Sequence, residues 1–178
     1  MAWTPELQEL EKRKALAVRM GGPERVKRQH DGGRLTIRER IDRIADGETF
    51  REIGAIAGVG DYDEKGDLQD FTPANCIFGR AKVDGRPVVI VGDDFTVRGG
   101  SADASIREKP MMAEEMARTY RMPVIRVIEG SGGGGSVRTI ETKGRSNLPG
   151  QVGETRAYHL MTDALGHVPV VGLGLGSV

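Results

Sequence analysis

The spacing of apolar residues along the chain changes from a helical to a mixed pattern. Near the N-terminus Ile37, Ile41 and Ile44 recur at i, i+4 and i+7, which is typical of one face of an amphipathic helix. From residue 76 onward, short apolar runs alternate with helical patterns, so the predicted order is strand, helix, strand, helix, strand. That alternation predicts a layered α/β fold with part of the sheet parallel.

Helix start signals divide the N-terminal region into three helices. Thr4 is expected to cap a helix over about residues 5–20, and Pro23 to begin a second, short and basic one. Thr36 and Glu39 have the spacing of a capping box, which predicts where the third helix begins. We therefore expect an N-terminal arm made of helices.

The next segment predicts a loop and then a hairpin. Residues 58–70 are acidic and rich in glycine, and we expect them to form a loop. Apolar runs at residues 76–83 and 86–91 flank Asp84 and Gly85, and an Asp-Gly pair in this position is a strong signal for a β-hairpin.

Four further elements are predicted beyond the hairpin. We expect helices over residues 101–120 and 155–165, and buried strands over residues 123–128 and 168–172. The second helix is expected to stop at Gly166. Two sets of side chains in the first helix are expected to pack into the core, namely the stripe Ala113, Met116, Ala117 and Tyr120, and the methionines Met111, Met112 and Met116.

Composition excludes several classes of protein. The 178 residues include 26 Lys and Arg against 26 Asp and Glu, so no net charge attracts nucleic acid. The longest apolar runs are far shorter than a membrane span, and the N-terminus has no apolar signal core. We expect a soluble, cytoplasmic protein that binds neither nucleic acid nor membrane.

No metal site or catalytic triad is evident from the sequence. Cys76 is the only cysteine, and His30, His159 and His167 are dispersed without partners at metal-ligand spacing. Ser131 has no identifiable base. We therefore expect no metal.

Charge is unevenly distributed along the chain. Residues 11–43 contain 11 basic and 5 acidic residues, whereas residues 52–70 contain 6 acidic and 1 basic. Either these are two solvated surfaces, or the basic arm contacts phosphates or an acidic partner.

The glycine-rich segment at residues 130–135 is the strongest candidate for chemistry. Gly130, Gly132 and Gly135 satisfy the spacing of a dinucleotide-binding fingerprint, but the polar residues that follow do not predict a helix. A P-loop would need a following Gly-Lys-Ser/Thr, which is absent. Two alternatives remain, an oxyanion hole formed by backbone amides and a flexible linker. A second glycine turn, residues 98–101, also lies between a predicted strand and a predicted helix.

Several motifs in order resemble the carboxyltransferase (beta) subunits of biotin-dependent acyl-CoA carboxylases. Residues 33–42 read Gly-Arg-Leu-Thr-Ile-Arg-Glu-Arg-Ile-Asp, similar to the opening G-(A/K)-L-T-x-R-E-R-I-D of that family. Residues 94–101, which read Asp-Phe-Thr-Val-Arg-Gly-Gly-Ser, and residues 131–133, which read Ser-Gly-Gly, then follow in family order. The resemblance covers nearly the full chain.

The resemblance implies a ClpP/crotonase-like layered α/β fold. It assigns residues 1–45 to an N-terminal helical arm and residues 46–178 to an N-terminal carboxyltransferase domain. That domain is expected to be truncated at its C-terminus, because the family continues into a second glycine pair and a homologous domain that receives biotin.

The resemblance also implies a reaction, the transfer of carboxylate from N-carboxybiotin to the α-carbon of a short acyl-CoA. The backbone N–H groups of Gly132 and Gly133 would stabilise the thioester enolate. Four further residues would bind CoA, namely Arg98, Gly99, Gly100 and Ser131. Biotin would arrive on a biotin carboxylase or biotin carrier subunit, and the full-length subunit would form a hexamer. The 178 residues on their own are expected to aggregate, to self-associate or to bind acyl-CoA weakly without turning it over.

The chain departs from the family pattern around the glycine loop. The family has an acidic residue directly before the loop serine, whereas Gly130 stands there and Glu129 is displaced by one; Gly134 and Gly135 replace a small residue and an arginine. Two alternatives within the fold are a biotin-dependent decarboxylase and a crotonase-type hydratase or isomerase, for which Glu129 would be the candidate carboxylate. Another is a non-catalytic acyl-CoA-binding or assembly module.

Overall fold

The computed structural model describes residues 3–100, 106, 108–130, 141 and 155–176. Its helices are α1 (Thr4–Ala17), α2 (Pro23–Asp31), α3 (Ile37–Ile44), α4 (Glu108–Tyr120) and α5 (Thr155–His167). Its strands are β1 (Arg51–Ile53), β2 (Gly58–Tyr62), β3 (Leu68–Pro73), β4 (Cys76–Val83), β5 (Arg86–Asp93), β6 (Val124–Ile128) and β7 (Val170–Gly174). A short 3₁₀ turn, Arg98–Gly100, follows β5.

The main sheet has five strands in the order β1-β4-β5-β6-β7. β4 and β5 form the antiparallel hairpin predicted around Asp84 and Gly85, with Val83 opposite Arg86. β5, β6 and β7 are parallel neighbours, and α4 and α5 lie between them in the chain. The prediction of a mixed α/β fold with a partly parallel sheet is confirmed.

Helices cover both faces of this sheet, because successive strand residues point to opposite sides. On one face Phe78, Val89 and Val124 pack against Ala113 and Ala117 of α4. On the other face Ile77, Ile90 and Val127 pack against α3. β5 and the core positions of β6 are therefore buried between an arm layer and an α4–α5 layer.

The predicted start of α3 is confirmed. Glu39 Oε2 accepts a hydrogen bond from the Thr36 backbone N–H at 2.7 Å, and the Glu39 N–H donates to Thr36 Oγ1 at 3.4 Å, which together form the capping box. Ile37 and Ile41 are buried, and Ile44 packs partly against them.

The acidic segment at residues 58–70 is not a loop, and that prediction is wrong. It forms most of the β2–β3 hairpin, a separate two-stranded sheet. Leu68 and Phe71 provide its buried side, and a side chain on Gly58 would collide with the ring of Phe71. The glycine is therefore part of a strand, because it leaves space for the aromatic ring.

Helix α1 differs from its prediction at both ends. It begins at Thr4 itself with Trp3 at the N-cap, which makes no side-chain capping bond, and it ends at Ala17. Met20 has a left-handed φ of 53°, so the helix cannot continue to the predicted end at residue 20.

The C-terminal elements are also shifted. α5 continues through Gly166 to His167, and β7 begins at Val170, two residues later than predicted. Because β7 is an edge strand in the described sheet, it is not fully buried, and Val171 remains 48% exposed.

Two side chains of α4 lie on the solvent side, contrary to expectation. Ala113 and Ala117 are fully buried and Met116 packs against the core. Tyr120 is 69% exposed and Met112 is 46% exposed, so neither belongs to the core stripe. None of the helices in the described ranges combines the length and the hydropathy needed to cross a bilayer.

Candidate active site

The three parallel strands β5, β6 and β7 end at one edge of the sheet. β5 is followed by residues 94–100, β6 by Glu129 and Gly130, and β7 by Leu175 and Gly176. In open α/β sheets, ligands bind in the crevice outside the carboxyl ends of the strands. This edge is therefore the candidate site.

The turn after β5 lies directly against the end of β6. Arg98, Gly99 and Gly100 all adopt left-handed φ values, 52°, 64° and 67°. A Cβ added to Gly100 would lie only 2.6 Å from the Glu129 carbonyl oxygen and 3.1 Å from Gly130 Cα. Only glycine therefore allows the two segments to approach this closely. The Arg98 side chain is exposed.

Glu129 is the buried charge at the centre of this edge, with only 1% of it exposed. Its Oε2 is 2.5 Å from Arg40 Nη1, and Arg34 Nη1 is 3.6 Å from Oε1. Gln29 Nε2 donates a hydrogen bond to Oε1 at 2.9 Å. A buried carboxylate is tolerated only with such partners, and all three come from the N-terminal arm.

The segment after β7 joins the same cluster. Arg40 Nη2 donates to the Leu175 carbonyl oxygen at 3.0 Å, and the Leu175 N–H donates to the Ile128 carbonyl oxygen at 3.3 Å. A Cβ on Gly176 would collide with the Glu129 carboxylate. The ends of β6 and β7 are thus held against one another.

The loop after β5 is fixed by a buried aspartate. Thr96 donates to Asp94 Oδ1 from its backbone N–H at 2.9 Å and from its hydroxyl at 2.6 Å. The Gly21 N–H of the arm donates to Thr96 Oγ1 at 2.9 Å. Burial raises the pKa of Asp94, and the two hydrogen bonds from Thr96 oppose that rise.

A cavity of about 250 Å³ lies between the sheet and α4, on the face opposite the Glu129 carboxylate. Its lining includes Met111, Met161 and Ile128, together with the ion pair of Glu114 and Arg126, whose Oε1 and Nη2 are 2.8 Å apart. This volume is slightly below the roughly 300–1,000 Å³ of typical small-molecule sites, so the cavity suits a small, mainly apolar group.

Asp93 also lines this cavity. Burial raises the pKa of its carboxyl group to about 6, although a hydrogen bond from the Glu129 backbone opposes the rise. Repulsion from the Glu129 carboxylate adds to the effect of burial.

The described residues include neither a reactive cysteine nor a metal centre. Cys76 is buried, and burial raises the pKa of its thiol to about 12, so the thiolate is not formed at neutral pH. No group of His, Cys, Asp and Glu within the described ranges could hold a metal ion. His30 is paired with Glu39 and His167 with Asp163, away from the strand ends.

Sequence reasoning located part of this edge and missed its charges. Gly99 and Gly100 lie at the edge, whereas Ser131, Gly132 and Gly133 fall outside the described residues. The cluster around Glu129 was not predicted. The basic arm was its only sequence signal, and the alternatives considered for that arm, solvent, phosphates or a partner, did not include a buried carboxylate of the same chain.

Comparison with known proteins assigns the chain to a family. The model of the carboxyl transferase domain matches residues 28–153, which contain Gln29, Arg34 and Arg40 of the arm, the turn after β5 and the glycine loop. The chain belongs to the carboxyl transferase domain family. The homologous proteins include carboxyltransferase beta subunits of propionyl-CoA and 3-methylcrotonyl-CoA carboxylases.

Relatives resemble the chain over a limited part of their length. The propionyl-CoA carboxylase beta chain of Cereibacter sphaeroides is 37% identical over 128 residues, which are 71% of this chain and 25% of that protein. The methylmalonyl-CoA decarboxylase alpha subunit of Propionigenium modestum is 32% identical over 71% of this chain and 25% of its own. The chain therefore spans about a quarter of the length of these relatives.

A solved structure supports the fold. The transcarboxylase 12S hexamer, determined with methylmalonyl-CoA bound, matches with a TM-score of 0.65 and 25% identity. The match covers 92% of this chain and 30% of that one.

Proposed function

We propose that this chain takes part in transferring a carboxyl group from N-carboxybiotin to the α-carbon of a short acyl-CoA. The observation that carries the proposal is the convergence of the ends of β5, β6 and β7 at one edge in a carboxyl transferase domain. Gly100, Gly130 and Gly176 all lie there, so no side chain at these three positions fills the edge.

The chemistry requires stabilisation of a negative charge that develops on the thioester oxygen. In our proposal the N–H groups of Gly132 and Gly133, directly after the β6 edge, donate to that oxygen. Preorganised amides of this kind typically contribute 10²–10³-fold in rate. The buried Glu129 is paired with arginines of the arm, which reduces the repulsion between its charge and the developing enolate.

The acyl group and the CoA would occupy different parts of the edge. We assign the acyl chain to the cavity of about 250 Å³ under α4, since its walls near Met111 and Met161 are apolar. The CoA would run past Arg98, Gly99, Gly100 and Ser131. N-carboxybiotin supplies the activated carboxyl group and reaches the site as a substrate carried by a partner protein. Its N–CO2 bond would break, the α-proton of the acyl-CoA would pass to the biotin nitrogen that loses CO2, and the enolate carbon would bond to that CO2.

The proposal extends to architecture. It includes a ClpP/crotonase-like fold, with residues 1–45 as a helical arm and residues 46–178 as part of an N-terminal carboxyltransferase domain. It also includes a biotin carboxylase or biotin carrier subunit as partner and a hexamer of the full-length subunit. The hexameric transcarboxylase 12S structure supports the last point.

A second candidate is the reverse direction, removal of carboxylate from a malonyl-type thioester. The observation that favours it is the similarity to the methylmalonyl-CoA decarboxylase alpha subunit. The same amides would serve, because decarboxylation also forms a thioester enolate. The two directions differ in the substrate that is consumed.

The experiment is an acyl-CoA panel with the natural full chain and its biotin-bearing partner. Radiolabelled bicarbonate should be fixed into acyl-CoA by the wild type, whereas Gly132→Pro or Gly133→Pro should reduce fixation at least 10²-fold because proline has no N–H. Gly132→Ala and Gly133→Ala retain the N–H and should keep at least about tenfold more activity than the proline variants.

Near-normal turnover by both proline variants would refute the amide assignment. Loss of label from methylmalonyl-CoA without any fixation would favour the decarboxylase direction.

A further inference from the structure

Arg40 of α3 contacts the segments that follow two different strands. Its Nη1 is 2.5 Å from Glu129 Oε2, at the end of β6. Its Nη2 donates to the Leu175 carbonyl oxygen, beyond the end of β7, at 3.0 Å. The arginine is only 5% exposed, so both contacts are shielded from water, which strengthens them.

The two segments have little freedom around this guanidinium. The Leu175 N–H donates to the Ile128 carbonyl oxygen, and Gly176 is packed so closely against the Glu129 carboxylate that a Cβ would collide with it. A guanidinium presents its donors in a rigid planar fork. The ion pair of Nη1 with Glu129 and the hydrogen bond of Nη2 to Leu175 therefore set how far the segment after β6 lies from the segment after β7.

We propose that Arg40 is a positioning residue that sets the spacing of these two segments, and through it the aim of the backbone amides at the carboxyl edge. The expected effect on turnover rests on the proposed function. The bridge, by which we mean the contacts of Arg40 with Glu129 and Leu175, does not. Arg40 touches no reacting atom in this account and acts through Glu129 and Leu175.

A merely stabilising role explains the arrangement less well. Helix α3 is already anchored to the sheet by Ile37 and Ile41, which are 2% and 1% exposed. Replacing a buried ion pair by apolar side chains is often neutral or stabilising. A paired Arg40 and Glu129 thus contribute more to a defined arrangement than to stability.

The test compares Arg40→Lys with Arg38→Lys in the natural full chain with its biotin-bearing partner. Lysine keeps the positive charge opposite Glu129 but lacks the fork that reaches two acceptors. Arg38 lies on the same helix and pairs with Glu52 of β1 at 2.8 Å, so its variant is matched in chemistry while its ion pair lies on β1 rather than beyond β6 or β7.

Two readouts are needed, one of which does not depend on activity. Arg40→Lys should reduce kcat by about 10–100-fold with KM for acyl-CoA changed less than about threefold, because small misplacements of a site cost up to about 10²-fold. Hydrogen exchange at the Leu175 amide should accelerate at least about tenfold. Arg38→Lys should change neither quantity.

Gly176→Ala provides a second variant should Arg40→Lys not fold. The added alanine Cβ would push the Glu129 carboxylate away from the segment after β7, while the residues of the arm remain unchanged. We therefore expect the same loss of kcat and the same faster exchange at the Leu175 amide as in Arg40→Lys.

The outcomes separate the two proposals. Unchanged exchange at Leu175 in the folded variants overturns the bridge, and unchanged kcat in an active enzyme overturns the positioning role of Arg40. If the wild type transfers no carboxyl group but exchange accelerates, the proposed function fails while the bridge stands. Loss of kcat together with faster exchange supports both.

Discussion

His30 of α2 and Glu39 of α3 face one another, with His30 Nε2 3.0 Å from Glu39 Oε2. The same carboxylate oxygen accepts the Thr36 backbone N–H. These contacts, with that of His30 the strongest, lower the pKa of Glu39 to about 2. One carboxylate therefore both caps α3 and links it to α2, which fixes the angle between the helices that carry Gln29 and Arg40.

The first prediction concerns acid. Because the folded pKa of Glu39 is about 2 and its ordinary value is 4.5, its stabilisation is complete above pH 4.5 and is lost as the pH falls through 2. The side chain is 41% exposed, so we expect no more than about 1 kcal/mol. Urea unfolding across that range should show a smaller acid-dependent loss in Glu39→Gln than in wild type.

Glu64→Gln, in the exposed turn of the β2–β3 hairpin, is the control for this prediction. An equal acid-dependent loss in Glu39→Gln and wild type would contradict it.

The parts of this arm that could be predicted depend on neighbouring residues. Thr36 and Glu39 are three residues apart, and the apolar spacing of Ile37 and Ile41 directly follows them, so the capping box and the buried face were both visible in the sequence. The Asp-Gly turn between β4 and β5 was predictable for the same reason.

The cluster at the candidate site could not be predicted in this way. Glu129 and its partner Gln29 are separated by 100 residues, and Arg40 and Leu175 by 135. The residues near Glu129 in the sequence do not specify which cationic side chains will pair with its carboxylate in the fold. The β2–β3 hairpin was not predicted because glycine favours loops in sequence-based prediction. The reason for a glycine at position 58, its close contact with the ring of Phe71, is visible only in the folded chain.

The second prediction concerns Asp93. Burial raises the pKa of its carboxyl group from 3.8 to about 6, so the folded state holds the proton more tightly than the unfolded state. Its stabilising effect is present below pH 3.8 and is lost as the pH rises through 6. A shift of this size corresponds to about 2–3 kcal/mol.

Asp93→Asn should remove this loss of stability, which denaturant titrations at pH 4 and pH 7 would measure. The exposed Asp70→Asn should leave the difference between the two pH values as in wild type. If Asp93→Asn retains the wild-type difference in stability between pH 4 and pH 7, the Asp93 carboxyl group titrates outside that pH range.

The third prediction is that Cys76 is chemically inert in the folded protein. Its thiol is buried against the α4 face of the sheet and its pKa is raised to about 12, so alkylation requires unfolding. The rate of iodoacetamide labelling should follow the fraction unfolded in urea. Fast labelling in native buffer, at a rate independent of the free energy of unfolding, would show that the start of β4 opens locally without global unfolding.

The fourth prediction is that no histidine is a general base. His30 and His167 are paired with Glu39 and Asp163, and His159 is exposed on α5. Alanine at each position should lower turnover by much less than the 10²-fold typical of losing a general base. The assay is carboxyl transfer by the full chain with its partner, and a 10²-fold loss at any one of the three would identify a catalytic histidine.

The last prediction tests the cavity as the acyl site. Met111 lines the cavity, whereas its neighbour Met112 on α4 points to solvent and is 46% exposed. Met111→Trp should fill part of the volume of about 250 Å³. The longest acyl-CoA that the enzyme accepts should then show the largest fall in kcat/KM, because each methylene excluded from an apolar site costs roughly 0.8 kcal/mol. We therefore expect kcat/KM to fall by about fourfold for each further methylene of the acyl chain, with acetyl-CoA least affected. Met112→Trp adds the same bulk one residue away and should leave the chain-length profile of the wild type intact. A uniform loss across all chain lengths in Met111→Trp would mean that the acyl group lies outside this cavity.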